Sequence, residues 1–151
     1  DYKIKIFENL LDGSENFALI KGKIKKNNNP RVRVISSNII KNYLMGENLP
    51  NSFKKTIDHF KKYKDCVLIF IRDTNLKSVS ETLKSYKSER YYKKGEDKLI
   101  RNYGIGAQII KTLNIKKMIL VTRSKKKVIG LDGYGIKITR QEIIKWKKRF
   151  V

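Results

Sequence analysis

Residues 99–138 read LIRNYGIGAQIIKTLNIKKMILVTRSKKKVIGLDGYGIKI, and this stretch decides the fold class. Gly104-Ile105-Gly106 opens a helical pattern whose apolar positions, predicted to face inward, are Ile109, Ile110 and Leu113. An apolar strand, Met118–Val121, follows at once. Because a helix that leads into an apolar strand is typical of α/β units, the stretch predicts an α/β domain.

The end of this stretch and the residues that follow it are predicted to form a short strand and then a helix. The glycine-rich turn 130–135 leads into a strand over 135–139. Residues 141–150 have apolar side chains at helical spacing and predict a closing helix.

The N-terminal half is predicted to contain mostly strands. Residues 2–9 alternate with Ile4 and Ile6 on one face, Asp12-Gly13 supplies a turn, and residues 17–24 form the returning strand of a hairpin. Residues 31–35 alternate again and predict a half-buried strand.

The middle of the chain predicts a helix between two strands. Residues 36–51 are ambiguous, with one short helix, and Ser52 is placed to cap a helix whose stripe is Phe53, Ile57 and Phe60. His59 lies off that stripe among lysines, so we expect it to be solvated. The run 66–71 predicts a buried strand, and residues 78–87 predict a helix.

Composition excludes several classes of protein. The chain has 151 residues, 40% apolar and 33% charged, which suits one globular domain. Cys66 is the only cysteine and His59 the only histidine, so the chain cannot form a disulfide or a Cys/His zinc site by itself. We expect Cys66 to be a small buried hydrophobic residue. No apolar run suits a membrane helix and no secretory signal is present, which predicts a cytoplasmic protein. The missing initiator Met suggests a domain excised from a longer chain.

The net charge of +22 has two interpretations. Such a field attracts nucleic acid and phosphorylated metabolites. However, the lysines are spread along the chain rather than grouped with exposed aromatic residues, which favours a compositional bias over a dedicated nucleic-acid surface.

Two segments have the local chemistry of an anion site. Residues 103–106 stand at a helix start, where backbone amides are free to bind an anion, although Gly-x-Gly alone is a weak motif. Residues 122–127, Thr-Arg-Ser-Lys-Lys-Lys, directly follow a strand, and ligands of α/β sheets gather at strand carboxyl ends. An ordinary basic loop explains the second segment equally well.

The motifs in residues 99–138 resemble those of one enzyme family. Residues 99–110 resemble D-L-R-D-Y-G-I-G-A-Q-I-L, residues 122–127 stand where that family has T-N-N-P-R-K, and residues 130–135 resemble G-L-E-G-Y-G. Residues 12–22 also resemble its N-terminal hairpin. On these motifs the chain is identified as a member of the GTP cyclohydrolase II family. The resemblance implies a three-layer α/β fold with mixed, partly antiparallel sheets, in a single domain over 1–151. It further implies a homodimer and a dihydroxybutanone phosphate synthase domain as partner, in cis or in trans.

The resemblance also assigns roles to residues. The family opens the imidazole ring of GTP, with release of formate and pyrophosphate. Arg101 matches the family's nucleophilic arginine, but Leu99 stands where a carboxylate accepts its proton. The resemblance assigns substrate binding to four residues, which are Arg33, Ser36, Thr122 and Lys127.

The family's metal site is the main departure. By the resemblance, the first zinc-binding cysteine corresponds to Asn38 and the other two fall near Leu49 and Asn51, and asparagine and leucine do not replace a zinc ligand. We therefore expect no zinc or magnesium cofactor. The expected function is a catalytically degenerate domain that stabilises or regulates dihydroxybutanone phosphate synthase and keeps a site for GTP or another phosphorylated small molecule. The alternatives are an active hydrolase with altered chemistry on such a metabolite and a basic nucleic-acid-binding protein.

Overall fold

The computed structural model describes residues 1–44, 49–87, 104–125 and 131–145. The strands are β1 (Tyr2–Glu8), β2 (Glu15–Lys21), β3 (Arg31–Ser36), β4 (Cys66–Ile71), β5 (Lys117–Thr122) and β6 (Lys137–Ile143). The helices are α1 (Ile39–Tyr43), α2 (Leu49–Phe60), α3 (Ser78–Lys87) and the helical residues 104–112, called α4, with a 3₁₀ turn at Asp132–Tyr134.

The described strands form one mixed sheet in the order β1-β2-β4-β3-β5-β6. The hairpin β1–β2 is antiparallel and β2 pairs antiparallel with β4, whereas β4, β3, β5 and β6 are parallel neighbours. This arrangement confirms the predicted α/β class with a partly antiparallel sheet. The four parallel strands end at one edge, called here the carboxyl edge.

Because successive side chains of a strand point to opposite faces of the sheet, each face has its own hydrophobic core. On one face Val32, Ile69 and Leu120 pack with Ile109 and Ile110 of α4. On the other face the apolar strand residues pack against α2 and the turn after it, in a cluster that includes Ile35, Leu68, Val121, Phe60 and Tyr63. The sheet between two helical layers is the expected three-layer arrangement.

Cys66 lies in the second core. It is fully buried, and burial raises the pKa of its thiol to about 11. A thiol with this pKa stays protonated near neutral pH, so the prediction of a small buried hydrophobic residue is confirmed.

Ile4 and Ile6 share a face of β1 as predicted, and both are more than 60% exposed. Two other local predictions differ from the structure. Ser52 does not cap α2, which begins at Leu49; it is buried inside the helix. The predicted helix over 141–150 is wrong where the structure describes it, since residues 141–143 continue β6 and pair with the open side of β5. Residues 146–150 lie outside the described residues.

No helix in the described ranges is long and apolar enough to cross a membrane.

Candidate functional site

At the carboxyl edge the pairing between β3 and β5 is interrupted, and this gap in the pairing is called here the crevice. From β3 the chain passes to β4 on one side, and from β4 it returns across β3 to β5 on the other side. The two described strands pair only through Arg31 with Ile119 and Val32 with Leu120, so their carboxyl-terminal halves are not paired with each other. In parallel α/β sheets such a switch in strand order is the usual place for a ligand.

Thr122 ends β5 at this crevice. Its side chain is on the same sheet face as Met118 and Leu120, because alternate residues of a strand point to the same face. The residue is only 6% exposed, and its Oγ1 has no hydrogen-bond partner among the described residues. A buried hydroxyl without a partner is costly, which marks Thr122 as a candidate ligand contact.

The described start of α4 packs on β3, which lines one side of this crevice. A Cβ added to Gly106 would lie 3.5 Å from both Cγ atoms of Val34 and 3.7 Å from Ile71 Cδ1. These contacts place the first turns of α4 against the carboxyl-terminal parts of β3 and β4. The helix therefore runs antiparallel to the strands, with the start of its described part over the carboxyl ends of β3 and β4.

Arg33 is on the other face of the sheet. It pairs in register with Leu68 and is 6% exposed, and its Nη2 donates a hydrogen bond to Ser52 Oγ at 2.9 Å. The guanidinium is thus enclosed beneath α2, and the structure does not bring it together with Thr122. This contact also explains why Ser52 and Thr56, rather than Phe53, face the sheet.

Ser36 is the predicted site residue that shares the face of Thr122. It is the exposed last residue of β3 and lies two positions after Val34 on the same face. Arg101 and Lys127, the other two predicted site residues, lie outside the described residues, as does Leu99.

Asn38, at the position of the family's first zinc-binding cysteine, has a side chain engaged in hydrogen bonds. Its Nδ2 donates to Asp73 Oδ2 and to Thr82 Oγ1, both at 3.1 Å, and its Oδ1 accepts from the backbone N–H of Lys41. An amide that presents its N–H groups in this way repels a cation rather than binding one. Apart from the helix-capping position of Asn38, nothing in the local sequence indicated these contacts, because Asp73 and Thr82 are 35 and 44 residues away along the chain.

The other two zinc positions do not supply the missing ligands. Leu49 has no donor atom and packs against the second core, and Asn51 has a neutral amide in the first turn of α2. Within the described residues, no group of three or more His, Cys, Asp or Glu side chains is arranged to hold a metal ion. The donor set at these positions therefore does not fit a zinc ion.

Comparison with known proteins places the sequence of this chain in one family. The family model described as GTP cyclohydrolase II matches residues 1–142. The chain belongs to the GTP cyclohydrolase II family.

Relatives of this GTP cyclohydrolase II domain are riboflavin biosynthesis proteins. The protein RibBA of Endomicrobium trichonymphae is 30% identical over 93% of this chain and 38% of its own length. The monofunctional riboflavin biosynthesis protein RIBA 2 of Arabidopsis thaliana is 29% identical over 91% of this chain and 30% of its own. RibBA of Chlorobium phaeovibrioides is 52% identical over 42 residues, which are 28% of this chain and 10% of that protein. The chain thus spans about a third of the length of the first two.

Proposed function

We propose that this domain binds a phosphorylated nucleotide of the GTP type without opening its imidazole ring, and that it serves riboflavin biosynthesis as a structural or regulatory partner of dihydroxybutanone phosphate synthase. The observation that carries the binding proposal is the buried Oγ1 of Thr122, which has no hydrogen-bond partner among the described residues and lies beside the unpaired halves of β3 and β5. A phosphate oxygen would accept a hydrogen bond from this hydroxyl.

Loss of ring opening follows from the donor set at the zinc positions. Hydrolysis of this kind uses a metal-bound water whose pKa is lowered by the metal. Asn38 turns N–H groups toward its neighbours, and Leu49 has no donor, so these residues supply no metal centre to activate water. Binding of the nucleotide phosphates does not depend on those positions.

The partner proposal rests on the length of the relatives. The matched part is 38% of the Endomicrobium trichonymphae protein, which leaves room for at least one further domain. With the resemblance to the domain fused behind dihydroxybutanone phosphate synthase, this supports a partner in cis or in trans. We further propose, from the same resemblance, a homodimer in the cytoplasm.

Binding is tested by the shift in melting temperature with GTP, at moderate salt and with inorganic tripolyphosphate as a charge control. We expect GTP to raise the Tm saturably and by more than tripolyphosphate does. Arg101→Ala and Lys127→Ala should reduce the shift, as their family positions imply. Equal shifts with both ligands would mean that the basic protein attracts any polyanion, and no shift with GTP would contradict the binding site.

Thr122→Val is the sharpest variant, because valine has nearly the shape of threonine without the hydroxyl. We expect it to raise the ligand-free Tm by about 2–4 °C, since it removes an unsatisfied buried group, and to reduce the GTP shift. Thr112→Val is the matched control: Thr112 is exposed on α4, and its Oγ1 donates to Gln108 O within the same helix. The control should keep the GTP shift. A Thr122→Val protein with an unchanged GTP shift would contradict the role of this hydroxyl.

Turnover separates this proposal from an active hydrolase. GTP is incubated with the protein, zinc and magnesium, and formate is measured. We expect no formate above the buffer rate. Formate release well above that rate would overturn the catalytically degenerate assignment in favour of a hydrolase.

A further inference from the structure

Asn38 has all of its polar groups engaged in hydrogen bonds. Besides the contacts of its side chain with Asp73, Thr82 and Lys41, its backbone N–H donates to Asn42 Oδ1 and its carbonyl oxygen accepts from Asn42 N, both at 2.8 Å. The residue is 6% exposed. An asparagine with both amide hydrogens and its amide oxygen bonded in a buried position is a fixed structural element.

These bonds join three segments that meet at the carboxyl edge. Asn38 follows β3 and caps α1, Asp73 belongs to the loop after β4, and Thr82, 4% exposed, lies on α3. Ser37 strengthens the junction: its N–H donates to Ile71 O at 3.0 Å, and its Oγ accepts from Asp73 N at 3.2 Å.

The hydrogen bonds of this junction stabilise helix α1, whose own sequence contributes little helix stability. The helix α1 has five residues, too few to be stable without tertiary contacts. The cap at Asn38 and the bonds across to Asp73 and Thr82 connect its start to the rest of the carboxyl edge by side-chain hydrogen bonds.

We propose that Asn38 is a metal-independent clasp: its amide holds the ends of β3 and β4 and helix α3 together by hydrogen bonds, at a position where the family has a zinc ligand. The clasp and a zinc ion exclude each other, because coordination by Oδ1 would break the α1 cap and bring the cation close to the donating Nδ2. This proposal concerns folding and requires no nucleotide, so it stands or falls separately from the proposed function.

The first test is the metal dependence of the whole chain. The Tm is measured after treatment with excess EDTA and again with added zinc sulfate, and zinc in the purified protein is measured by elemental analysis. We expect the same Tm in both conditions and no stoichiometric zinc. A Tm that falls with EDTA, or one zinc per chain, would overturn the proposal.

The second test removes the clasp. Asn38→Ala deletes the cap and leaves the hydroxyl of Thr82 and the carboxylate of Asp73 without this donor, so the Tm should fall by about 5 °C or more. The matched control, Asn27→Ala, changes an exposed loop asparagine and should alter the Tm by less than about 1 °C. Equal Tm values for the two variants would contradict the clasp.

Thr82→Val is a milder variant for the case in which Asn38→Ala does not fold. It keeps the side-chain volume and removes one acceptor, so the Tm should fall by about 2–4 °C. If Asn38→Ala folds, the two substitutions in one chain should lower the Tm by less than the sum of their separate effects, since they share a bond. A wild-type Tm in Thr82→Val would overturn the proposal.

Discussion

Glu142 is the residue that connects the edge strand β6 to the second core. Its carboxylate accepts hydrogen bonds from Nε and Nη2 of Arg31 at 2.8–3.1 Å and lies 2.9 Å from Nε2 of His59. The Arg31 guanidinium also lies over the ring of Tyr63, 3.3 Å from its centroid. One carboxylate thus joins β6, β3 and α2, and this contact helps to explain why residues 141–143 are a strand.

The pKa of Glu142 predicts acid sensitivity. Burial alone would raise this pKa, but hydrogen bonds from Arg31, His59 and Arg140 outweigh burial and lower it from 4.5 to about 2. Because the pKa is lower in the folded state, the carboxylate stabilises the fold fully above about pH 4.5 and loses that contribution as the pH falls toward 2.

We therefore expect Glu142→Gln to lower the free energy of unfolding at pH 7 by on the order of 2 kcal/mol, and to flatten the loss of stability between pH 5 and pH 2. Urea unfolding at several pH values measures both effects. The matched control is Asp58→Asn, which changes an exposed carboxylate paired with Lys61 and should leave the pH profile nearly unchanged. Parallel pH profiles for Glu142→Gln and the wild type would contradict the prediction.

At the same scale, His59 shows what sequence periodicity could not reveal. Its position among lysines off the apolar stripe predicted a solvated side chain, and that prediction is wrong: its side chain is 18% exposed beside Glu142. The error has a physical cause. The buried face of α2 is set by polar partners, Ser52 for Arg33 and His59 for Glu142, and hydrophobic spacing does not report such pairs.

At the scale of the elements, the strands were the most predictable. The hairpin, β3, β4, β5 and helix 78–87 all follow from alternation or apolar runs with turn residues between them. The burial of Ser52 inside α2 was not predictable from local sequence, because it accompanies a hydrogen bond with the distant Arg33. The strand over residues 141–143 was not predictable either, because those residues pair with β5. At the candidate site, the strand end at Thr122 was visible in the local sequence, whereas Ser36 and Arg33 were indicated only by family motifs. Alternation along β3 puts Arg33 on the face opposite to Ser36, so the two could not line one site on one face of the sheet.

Two glycines with positive φ allow a matched test of the connections around β2. Gly22 (φ 79°) would place a Cβ against the backbone carbonyl of Lys64 and the Asp65 carboxylate, whereas Gly13 (φ 69°) has open space around it. Gly13→Ala measures the cost of the left-handed backbone alone, about 1 kcal/mol. We expect Gly22→Ala to cost at least twice as much in chemical unfolding, because the Lys64 backbone must also move. Equal losses of unfolding free energy in the two variants would contradict the close approach of Gly22 to the Lys64 backbone.

The interior of the sheet and its β1 edge should differ in their tolerance to the same substitution. Ile69 of β4 is fully buried, whereas Ile4 of β1 is 64% exposed. Isoleucine to threonine keeps the β-branch and adds a hydroxyl. We expect Ile69→Thr to destabilise the protein by about 2–4 kcal/mol and Ile4→Thr by less than about 1 kcal/mol in urea unfolding. A large cost for Ile4→Thr would indicate that this surface is covered in solution.

The whole molecule is dominated by its positive charge. It has 36 Lys and Arg side chains against 14 Asp and Glu, and exposed lysines are on β1, α2, α3 and α4. This distribution is diffuse, as the sequence indicated, and nucleic-acid binding stays the alternative that the sequence favours less than a compositional bias. Whether or not the charge serves nucleic-acid binding, repulsion among these charges opposes the compact state.

Salt should therefore stabilise the fold. Raising sodium chloride from low to moderate concentration screens the repulsion, and we expect the Tm to rise by on the order of 5 °C. The variant Lys3→Glu/Lys5→Glu tests the cause, because two charge reversals on the exposed strand β1 change the net charge from +22 to +18. Its Tm should be higher at low salt and should rise less with added salt. If the Tm of the wild type instead fell with salt, attractive pairs such as Arg31–Glu142 would outweigh the repulsion, and the net charge would not limit the stability of the fold.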